Sequence, residues 1–399
     1  MDRTILHCDC NAYFASVECL FRPELKSVPM AVCGDPEMRH GIVLAKNELA
    51  KACGVQTAEP IWQAKRKCPR LVVIQPQHGR YAEYCKKINA VYAEYTDQVE
   101  AFSVDESWLD VTGSTHLFGD GKTIADALRK RLREEIGLTI SVGVSFNKTF
   151  AKLGSDYKKP DATTVILRDN FKEIVWPLPT RDMLFVGKAA ESELKKHGIT
   201  TIGQIATADK ERLKRMLGKM GENLWECANG LDASPVRRIG EVEPVKSISN
   251  DITFRRDLKG EEDVRAGLLM LSDQVCTRLR RQRLYGSVVH ITIKDPMLHS
   301  ITRQKRLKEP TNITADVFAT ALTLLFDHWE LSAPIRMLGV GVSALSGHCG
   351  DQISFFMDDE KKRRAQKLDA TLDTIRERFG KDAIQFGSIL QSDIKHKKT

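Results

Sequence analysis

The 399-residue sequence has no long apolar run, and no charged segment followed by an apolar one opens it. It therefore predicts neither a membrane span nor a secretory leader. Its ten cysteines include no C-x-x-C pair, which argues against a zinc knuckle and favours buried, reduced thiols in the cytoplasm. The net charge of +8 suits a polyanionic partner, but it also suits a plain basic protein.

The most informative feature that is present is a split set of acidic residues. Asp9 ends a short apolar stretch in TILHCDC, and Asp105 and Glu106 follow much later in FSVDESWLD. Three carboxylates that converge at one point require cations, and their hard oxygens suit Mg²⁺, which keeps positions open for substrate phosphates. If these residues converge, the set predicts phosphoryl transfer.

Hydrophobic periodicity predicts a fold that would bring the acids together. The successive elements are strand, helix, strand, strand, helix and strand, at residues 3–9, 80–97 and 99–104, the stretch WLDVT, a helix ending at Gly137, and the stretch LTISVGVS. A hairpin is placed at residues 105–107. This order is the split βαβ or ferredoxin-like pattern, in which the third strand lies between the first two. Asp9 is therefore expected beside Asp105 and Glu106.

Ordinary turn chemistry is the competing interpretation of Asp105 and Glu106, because Asp is common where a chain reverses. Asp110, among apolar neighbours, is expected to be a solvated carboxylate on an exposed face. The coincidence of the predicted positions favours metal ligation for Asp9, Asp105 and Glu106.

Three stretches carry a resemblance to a known family: HCDCNAYFASVE, SVDESWLD and SVGVSFNKTFAKLGSDYKKPD. They resemble the Y-family translesion DNA polymerases, and the similarity runs to about residue 345. It implies an α+β, multidomain polymerase of the error-prone, damage-tolerance type. The implied parts are a ferredoxin-like palm (1–10 and 78–168), inserted fingers (11–77), a helical thumb (169–236), a linker (237–245), an α/β little finger (246–350), and a clamp-binding motif with a tail (351–399).

The resemblance also implies roles for single residues. Asp9, Asp105 and Glu106 would hold two Mg²⁺ ions, with the Cys10 carbonyl as a further ligand. Phe14 matches the aromatic residue whose ring would collide with a ribose 2′-hydroxyl, although a lone Phe at this position is also typical of a core aromatic.

Nucleotide contacts are implied in two places. Lys159, in DYKKPD, matches a Lys that meets the triphosphate. Lys51 stands where the family usually has an Arg, and Glu48 where it usually has a Tyr. Lys cannot copy a bidentate guanidinium contact, and a solvated helix Lys is the alternative. Lys46 lies five positions earlier, roughly 140° around a helix, so the two Lys residues need not share a face.

DNA contacts are expected from the thumb and the little finger. The resemblance implies a hairpin in the thumb whose backbone amides bind phosphates, and Phe185, in LFVGKAA, stands where the family usually has the first Gly of that hairpin. In SITRQKRL, Arg303 and Lys305 project to one face of a strand and Arg306 to the other. Phosphate contact by the first face is the functional interpretation, and a solubilising edge is the alternative. The basic run at residues 278–283 is expected to cover a helix surface.

The tail begins with DQISFF, which resembles a bacterial sliding-clamp motif through Gln352, Ile353, Phe355 and Phe356. Docking of these aromatics on the helix of the tail is the alternative. The expected partners are primer–template DNA, deoxynucleoside triphosphates and a sliding clamp, with no membrane and a monomeric chain. Two other functions stay open: a noncatalytic DNA- and clamp-binding scaffold, and a nucleotide cyclase on a related palm, which fits the C-terminal half poorly.

Overall fold

The computed structural model describes residues 2–35, 41–347, 359–390 and 393–394. They form two compact units that divide after Val242. The first unit has the following strands and helices in chain order: β1 (Ile5–Cys10), α1 (Tyr13–Phe21), β2 (Met30–Cys33), β3 (Val43–Lys46), α2 (Glu48–Ala52), α3 (Ile61–Lys67), β4 (Val72–Ile74), α4 (His78–Ala93), β5 (Val99–Ala101), β6 (Glu106–Asp110), α5 (Thr115–Phe118), α6 (Gly121–Arg131), β7 (Ile140–Ser145), α7 (Lys148–Tyr157), β8 (Thr163–Ile166), α8 (Phe171–Val175), α9 (Lys188–Lys196), α10 (Ile202–Thr207), α11 (Lys210–Leu217) and α12 (Lys219–Ala228).

The second unit is a separate sheet with its own helices. Its elements in chain order are β9 (Ser247–Leu258), α13 (Gly260–Arg281), β10 (Tyr285–Lys294), β11 (Ser300–Thr311), α14 (Thr314–Phe326), β12 (Ile335–Ser346), α15 (Asp359–Phe379) and α16 (Gly387–Leu390). None of the helices in the described stretches is both long enough and apolar enough to cross a membrane. The cysteines in these stretches are free, and most are buried.

The main sheet of the first unit has the strand order β5-β6-β1-β7-β8. Strand β6 lies between β5 and β1 and is antiparallel to both, so the predicted ferredoxin-like order is confirmed. Strand β8 was not predicted, and it extends the sheet by pairing parallel to β7. Every residue of β1 is buried because helices cover both sides of the sheet. Leu6 and Cys8 pack with α4 and α6, whereas Ile5 packs with Ala151 of α7.

Helix α7 lies unusually close to β7. A Cβ atom built on Gly143 would stand 1.9 Å from the carbonyl oxygen of Ala151, so only glycine fits there without a shift. On the helix side, a Cβ on Gly154 would stand 3.0 Å from the Cα of Gly143. This close packing brings Lys152 of α7 within reach of β6, and Lys159, just beyond the end of α7, within reach of β1.

The reversal between β5 and β6 differs from the prediction. Strand β5 ends at Ala101 and β6 already begins at Glu106, so the turn lies earlier than residues 105–107. The N–H groups of Phe102 and Ser103 both donate to the Glu106 carbonyl, at 2.9 and 3.2 Å. The Ser103 hydroxyl also donates to the Asp105 carboxylate at 2.6 Å, which stabilises the reversal at this earlier position.

The prediction that Asp110 is a solvated carboxylate is wrong. Asp110 is only 8% exposed, and its carboxylate accepts hydrogen bonds from the backbone N–H and the hydroxyl of Thr112. These bonds fix the turn that follows β6, which gives Asp110 a structural place in the fold.

The long segment between β1 and α4 forms its own small sheet, with strand order β3-β2-β4. Helix α1 joins this sheet to the main one, because its two sides pack on different cores. Tyr13 and Val17 pack in the core of the main sheet, whereas Ala15 and Cys19 pack under β2 and β4. The helices α8 to α12 form a further core together with Phe150 of α7.

In the second unit the strand order is β11-β10-β12-β9, and α13 and α14 cover one side of this sheet. Helix α15 packs on α13 through ion pairs that the sequence did not predict. Arg280 contacts Asp369 at 3.0 Å and Asp373 at 2.6 Å, and its side chain is only 13% exposed. The prediction that residues 278–283 merely cover a helix surface is therefore wrong for Arg280.

Candidate active site

The predicted acids meet where β1 ends and β6 begins. Asp9 and Glu106 are directly paired across the two antiparallel strands, so their side chains lie on the same side of the sheet. The backbone N–H of Cys10 donates to the carbonyl of Asp105 at 3.1 Å. The predicted proximity of Asp9 to Asp105 and Glu106 is confirmed, and it follows from the position of β6 beside β1.

Asp9 is a buried carboxylate with a cation beside it. It is 5% exposed, and its Oδ2 atom accepts a hydrogen bond from Lys159 Nζ at 2.6 Å. Burial raises the pKa of Asp9 to about 7, and Lys159 lowers it only in part. Burial alone lowers the pKa of Lys159, but Asp9 and Asp156 more than offset this, so that pKa is raised. Lys159 is thus charged, and it forms ion pairs with both Asp9 and Asp156.

Glu106 is held by a second cation. Lys152 Nζ donates to Glu106 Oε2 at 2.9 Å, and the Nε2 atom of His7 lies 3.6 Å from the same oxygen. Burial acts to raise the pKa of Glu106, but the interactions with His7 and Lys152 outweigh it and hold the pKa at about 2. Burial lowers the pKa of His7, so its ring is neutral at pH 7, and its Nδ1 atom pairs with the Ser155 hydroxyl at 2.8 Å.

The donor set suits a hard divalent cation, although each carboxylate has another partner here. Asp9 and Glu106 pair with Lys159 and Lys152, and Asp105 accepts from Ser103. Within the stretches that the structure describes, no three His, Cys, Asp or Glu side chains are gathered as a ready metal site. Carboxylate oxygens are the ligands that Mg²⁺ prefers, and a metal ion at this site would compete with the two lysines and the serine for them.

A cleft of about 310 Å³ extends from the acids to the small sheet. It is lined by Asp9, Cys10, Asn11, Ala12, Tyr13, Leu44, Ala45, Lys46, Glu48, Lys51, Thr57, Asp105, Glu106, Lys159 and Pro160. Lys51 lies in the same cleft as Lys159. The helical argument that separated Lys46 from Lys51 is wrong, because Lys46 ends strand β3 and Lys51 belongs to α2.

Phe14 lies at the start of α1 but is not among the residues that line this cleft. Its ring stacks on Tyr81 with centroids 4.1 Å apart and planes 11° apart, and its edge faces His78. It is half-buried between the two cores that α1 joins. Tyr13, its neighbour, is the aromatic residue that lines the cleft, and its hydroxyl donates to the Tyr81 carbonyl at 2.7 Å.

Phe185 keeps the conformation that a glycine would favour at its position. Its φ angle is 71°, in the left-handed region, and its side chain is 66% exposed. Gly187, two residues later, directly precedes helix α9. Phe185 therefore adopts a left-handed backbone conformation at a cost of about 1–2 kcal/mol.

Strand β11 is an exposed edge, and its alternation is as predicted. Arg303 pairs with Ile291 and Lys305 with Val289, and both partners are buried beneath α13 and α14. Cross-strand partners share a side, so Arg303 and Lys305 lie on the helix-covered side of the sheet and Arg306 lies on the open side. All three side chains are exposed.

The predicted clamp motif, Gln352, Ile353, Phe355 and Phe356, lies outside the described residues.

Sequence reasoning missed two residues of the site, His7 and Lys152, and placed a third, Lys46, on the wrong element. His7 lies two residues before Asp9 on β1, and residues two apart in a strand point to the same side of the sheet. The sequence could therefore have placed His7 beside Asp9. Lys152 stands about two helical turns before Lys159, a spacing that puts side chains on the same face. No sequence pattern placed Lys46 correctly, because only the structure shows that strand β3 ends at this residue.

Comparisons with known proteins give the family. Residues 8–156 match the impB/mucB/samB family, and residues 245–355 match the C-terminal domain of that family. The DNA polymerase IV of Acetivibrio thermocellus is 49% identical over 393 residues, which span 98% of each chain. The DNA polymerase IV 2 of Bacillus subtilis is 37% identical over 96% of this chain and 93% of that protein.

One solved structure shows the same fold at low sequence identity. A Y-family DNA polymerase chimera, Dbh-Dpo4(243-245)-Dbh, superposes with a TM-score of 0.75 at 22% identity, over 86% of this chain and 98% of the chimera. The chain therefore belongs to the impB/mucB/samB family and, with its DNA polymerase IV relatives, to the Y-family DNA-directed DNA polymerases.

Proposed function

We propose that the chain adds deoxynucleotides to a primer 3′ end, opposite damaged as well as undamaged template bases, by phosphoryl transfer with two Mg²⁺ ions. One observation carries the proposal: Asp9, Asp105 and Glu106 line the same cleft as Lys51 and Lys159. Acids that can hold metal ions and cations that can hold phosphates are both needed for nucleotidyl transfer, and here they share one space.

The proposed metal ligands are the carboxylates of Asp9, Asp105 and Glu106 and the carbonyl of Cys10. When bound, the ions would supply Lewis-acid activation of the primer 3′-hydroxyl and would neutralise the leaving pyrophosphate. Lys159 exchanges its bond to Asp9 for one to a phosphate oxygen of the nucleotide. Lys152 stays with Glu106 and fixes the orientation of that carboxylate.

The proposed domains follow the two sheets and the helical core. Residues 1–10 and 78–168 form the palm, with strands β1 and β5–β8, and residues 11–77 form the fingers, with β2–β4. Residues 169–236 form the thumb, 237–245 the linker and 246–350 the little finger. Primer–template DNA, deoxynucleoside triphosphates and a sliding clamp are the proposed partners of a monomeric chain.

Replacing Asp105 or Glu106 with Ala should lower primer extension on a gapped template by about a thousandfold or more. Several kcal/mol of transition-state stabilisation depend on the metal ligands, whereas the cations that bind DNA remain. DNA affinity, measured by fluorescence anisotropy, should therefore stay near the wild-type value. Asp169→Ala removes an exposed carboxylate outside the cleft and serves as the control.

Near-normal extension by both acid variants would contradict the metal assignment. A wild-type protein that binds DNA and the clamp but extends no primer would instead support the noncatalytic scaffold.

Phe14 is proposed to exclude ribonucleotides, with its ring held in place by the stack on Tyr81. Phe14→Ala should raise ribonucleotide insertion by about tenfold or more, because a steric clash of about 1–3 kcal/mol is removed. Deoxynucleotide insertion should persist. Phe21→Ala, which removes an exposed ring from the other end of α1, is the matched control. If sugar discrimination stays the same in Phe14→Ala, Phe14 is only a packing residue between two cores.

Arg303 and Lys305 are proposed to contact DNA phosphates, and Phe355 and Phe356 to enter a clamp groove. Replacing both basic residues with Ala should weaken DNA binding and reduce the slope of log affinity against log salt by about two.

Replacing both Phe residues with Ala should lower clamp affinity and clamp-stimulated extension, while leaving DNA affinity and extension without the clamp intact. Each double variant is thus the control for the other.

Arg306→Ala tests the open side of the same strand. A larger loss of DNA affinity for Arg306→Ala than for the Arg303 and Lys305 variant would move the DNA contact to that side. Equal clamp affinity in the double Phe variant would remove the DQISFF motif from clamp binding.

A further inference from the structure

The fingers side of the cleft carries two Lys residues that reach it from different elements. Lys46 ends β3 and Lys51 lies on α2, yet both line the cleft together with Thr57 and Glu48. Strand β3 and helix α2 are separated by Asn47 alone, whose side chain caps α2 by accepting from the Ala50 N–H at 3.0 Å. The cap fixes the sharp change of direction between β3 and α2, the two elements from which Lys46 and Lys51 reach the cleft.

Lys46 lacks a countercharge of its own. It is half-buried, and its Nζ atom donates to the Thr57 hydroxyl at 3.0 Å. Among the described residues, no carboxylate forms an ion pair with it within 4.0 Å. Burial, and then the charge of Lys51, lower the pKa of Lys46. An anion bound beside both ammonium groups would favour the charged form of Lys46 and so offset both effects.

Lys51 has a countercharge, but a weak one. Glu48 lies 3.4 Å from its Nζ atom, and the two side chains are 57% and 56% exposed. An exposed pair of this kind contributes about 0–1 kcal/mol, so a phosphate group can replace Glu48 at little cost. The Glu48 carboxylate lines the cleft as well, and there it repels any polyanion that enters.

We propose that Lys46 and Lys51 together bind the terminal phosphates of the incoming nucleotide, and that Glu48 weakens this binding by competing for Lys51. The proposal rests on the proposed function, because the polyanion in the cleft is taken to be a nucleoside triphosphate. Lys46 supplies a second point charge at a site where a single Lys cannot make a bidentate contact. Glu48 sets how tightly the nucleotide is held before chemistry.

Lys46 is tested by single-nucleotide insertion kinetics. Lys46→Ala should raise the KM for the deoxynucleotide about tenfold with little change in kcat, because a charge-assisted phosphate contact acts before and during the reaction. Lys46→Arg should restore much of the affinity, since it restores the charge. Lys65→Ala removes an exposed Lys from α3, outside the cleft, and is the matched control.

Lys46→Gln separates binding from a structural role. Gln can still donate to the Thr57 hydroxyl but carries no charge, so it should behave like Ala. A wild-type KM in Lys46→Gln would make Lys46 a residue that only holds Thr57. A wild-type KM in Lys46→Ala, with an unchanged thermal unfolding midpoint, would overturn the role of Lys46 altogether.

Glu48→Gln should act in the opposite direction and lower the KM about threefold, because it removes the competitor of Lys51 and a repelling charge. A raised KM in Glu48→Gln would overturn the competition. The same variants are then compared for competitive inhibition by inorganic tripolyphosphate at fixed free Mg²⁺. Its inhibition constant should rise in Lys46→Ala and fall in Glu48→Gln.

Two failures are distinguishable. If the wild-type protein extends no primer, the proposed function fails, and direct titration with tripolyphosphate still decides whether Lys46 and Lys51 bind phosphates. If the wild-type protein extends primers and Lys46→Ala binds tripolyphosphate as tightly as the wild type, only the inference about Lys46 fails.

Discussion

Two carboxylates on adjacent buried strands are the constraint on which the rest of the site depends. Asp9 and Glu106 face each other across β1 and β6, and both are largely removed from water. A buried carboxylate left without a partner costs about 3–5 kcal/mol, so each requires a nearby cation. Lys159 and Lys152 meet this need because α7 packs against β7 at a distance that only glycine at position 143 allows.

The same lysines explain how a stable fold can contain a site for ions. Lys159 and Lys152 balance the acids in the protein by itself, and in the proposed mechanism an ion on Asp9 would free Lys159 for a phosphate. The proton is a second competitor, since the pKa of Asp9 is raised to about 7 by burial. Metal affinity should accordingly rise as the pH increases through that value and the Asp9 carboxyl loses its proton.

The order of the strands in the main sheet could be predicted from the sequence, because it depends on hydrophobic periodicity. Features that depend on particular side-chain contacts or on the exact end of a strand could not be predicted. The apolar faces of β1, α4 and α6 predicted the order of the strands. Because β6 lies beside β1 in that order, Asp9 was expected close to Glu106. The turn before β6 was misplaced because a side-chain bond from Ser103 to Asp105 fixes it. Lys46 was placed on a helix because nothing in its neighbours shows that a strand ends there.

The C-terminal half shows the same limit. Arg280 was assigned to a surface because its neighbours are basic, whereas its partners, Asp369 and Asp373, are some ninety residues away. No local pattern connects these residues. Phe185 is a different case, because its left-handed backbone conformation is one that its own residue type does not favour.

The central proposal is that Asp9 and Glu106 bind divalent ions when substrates bind. Titration with Mn²⁺, followed by electron paramagnetic resonance, counts the ions bound to the complex with a dideoxy-terminated primer–template and a matched deoxynucleotide. The account predicts two ions per wild-type complex, a loss of bound ions in Asp9→Asn and in Glu106→Gln, and wild-type binding in Asp169→Asn. The same number and affinity of ions in the Asp9 and Glu106 variants as in the wild type would contradict it.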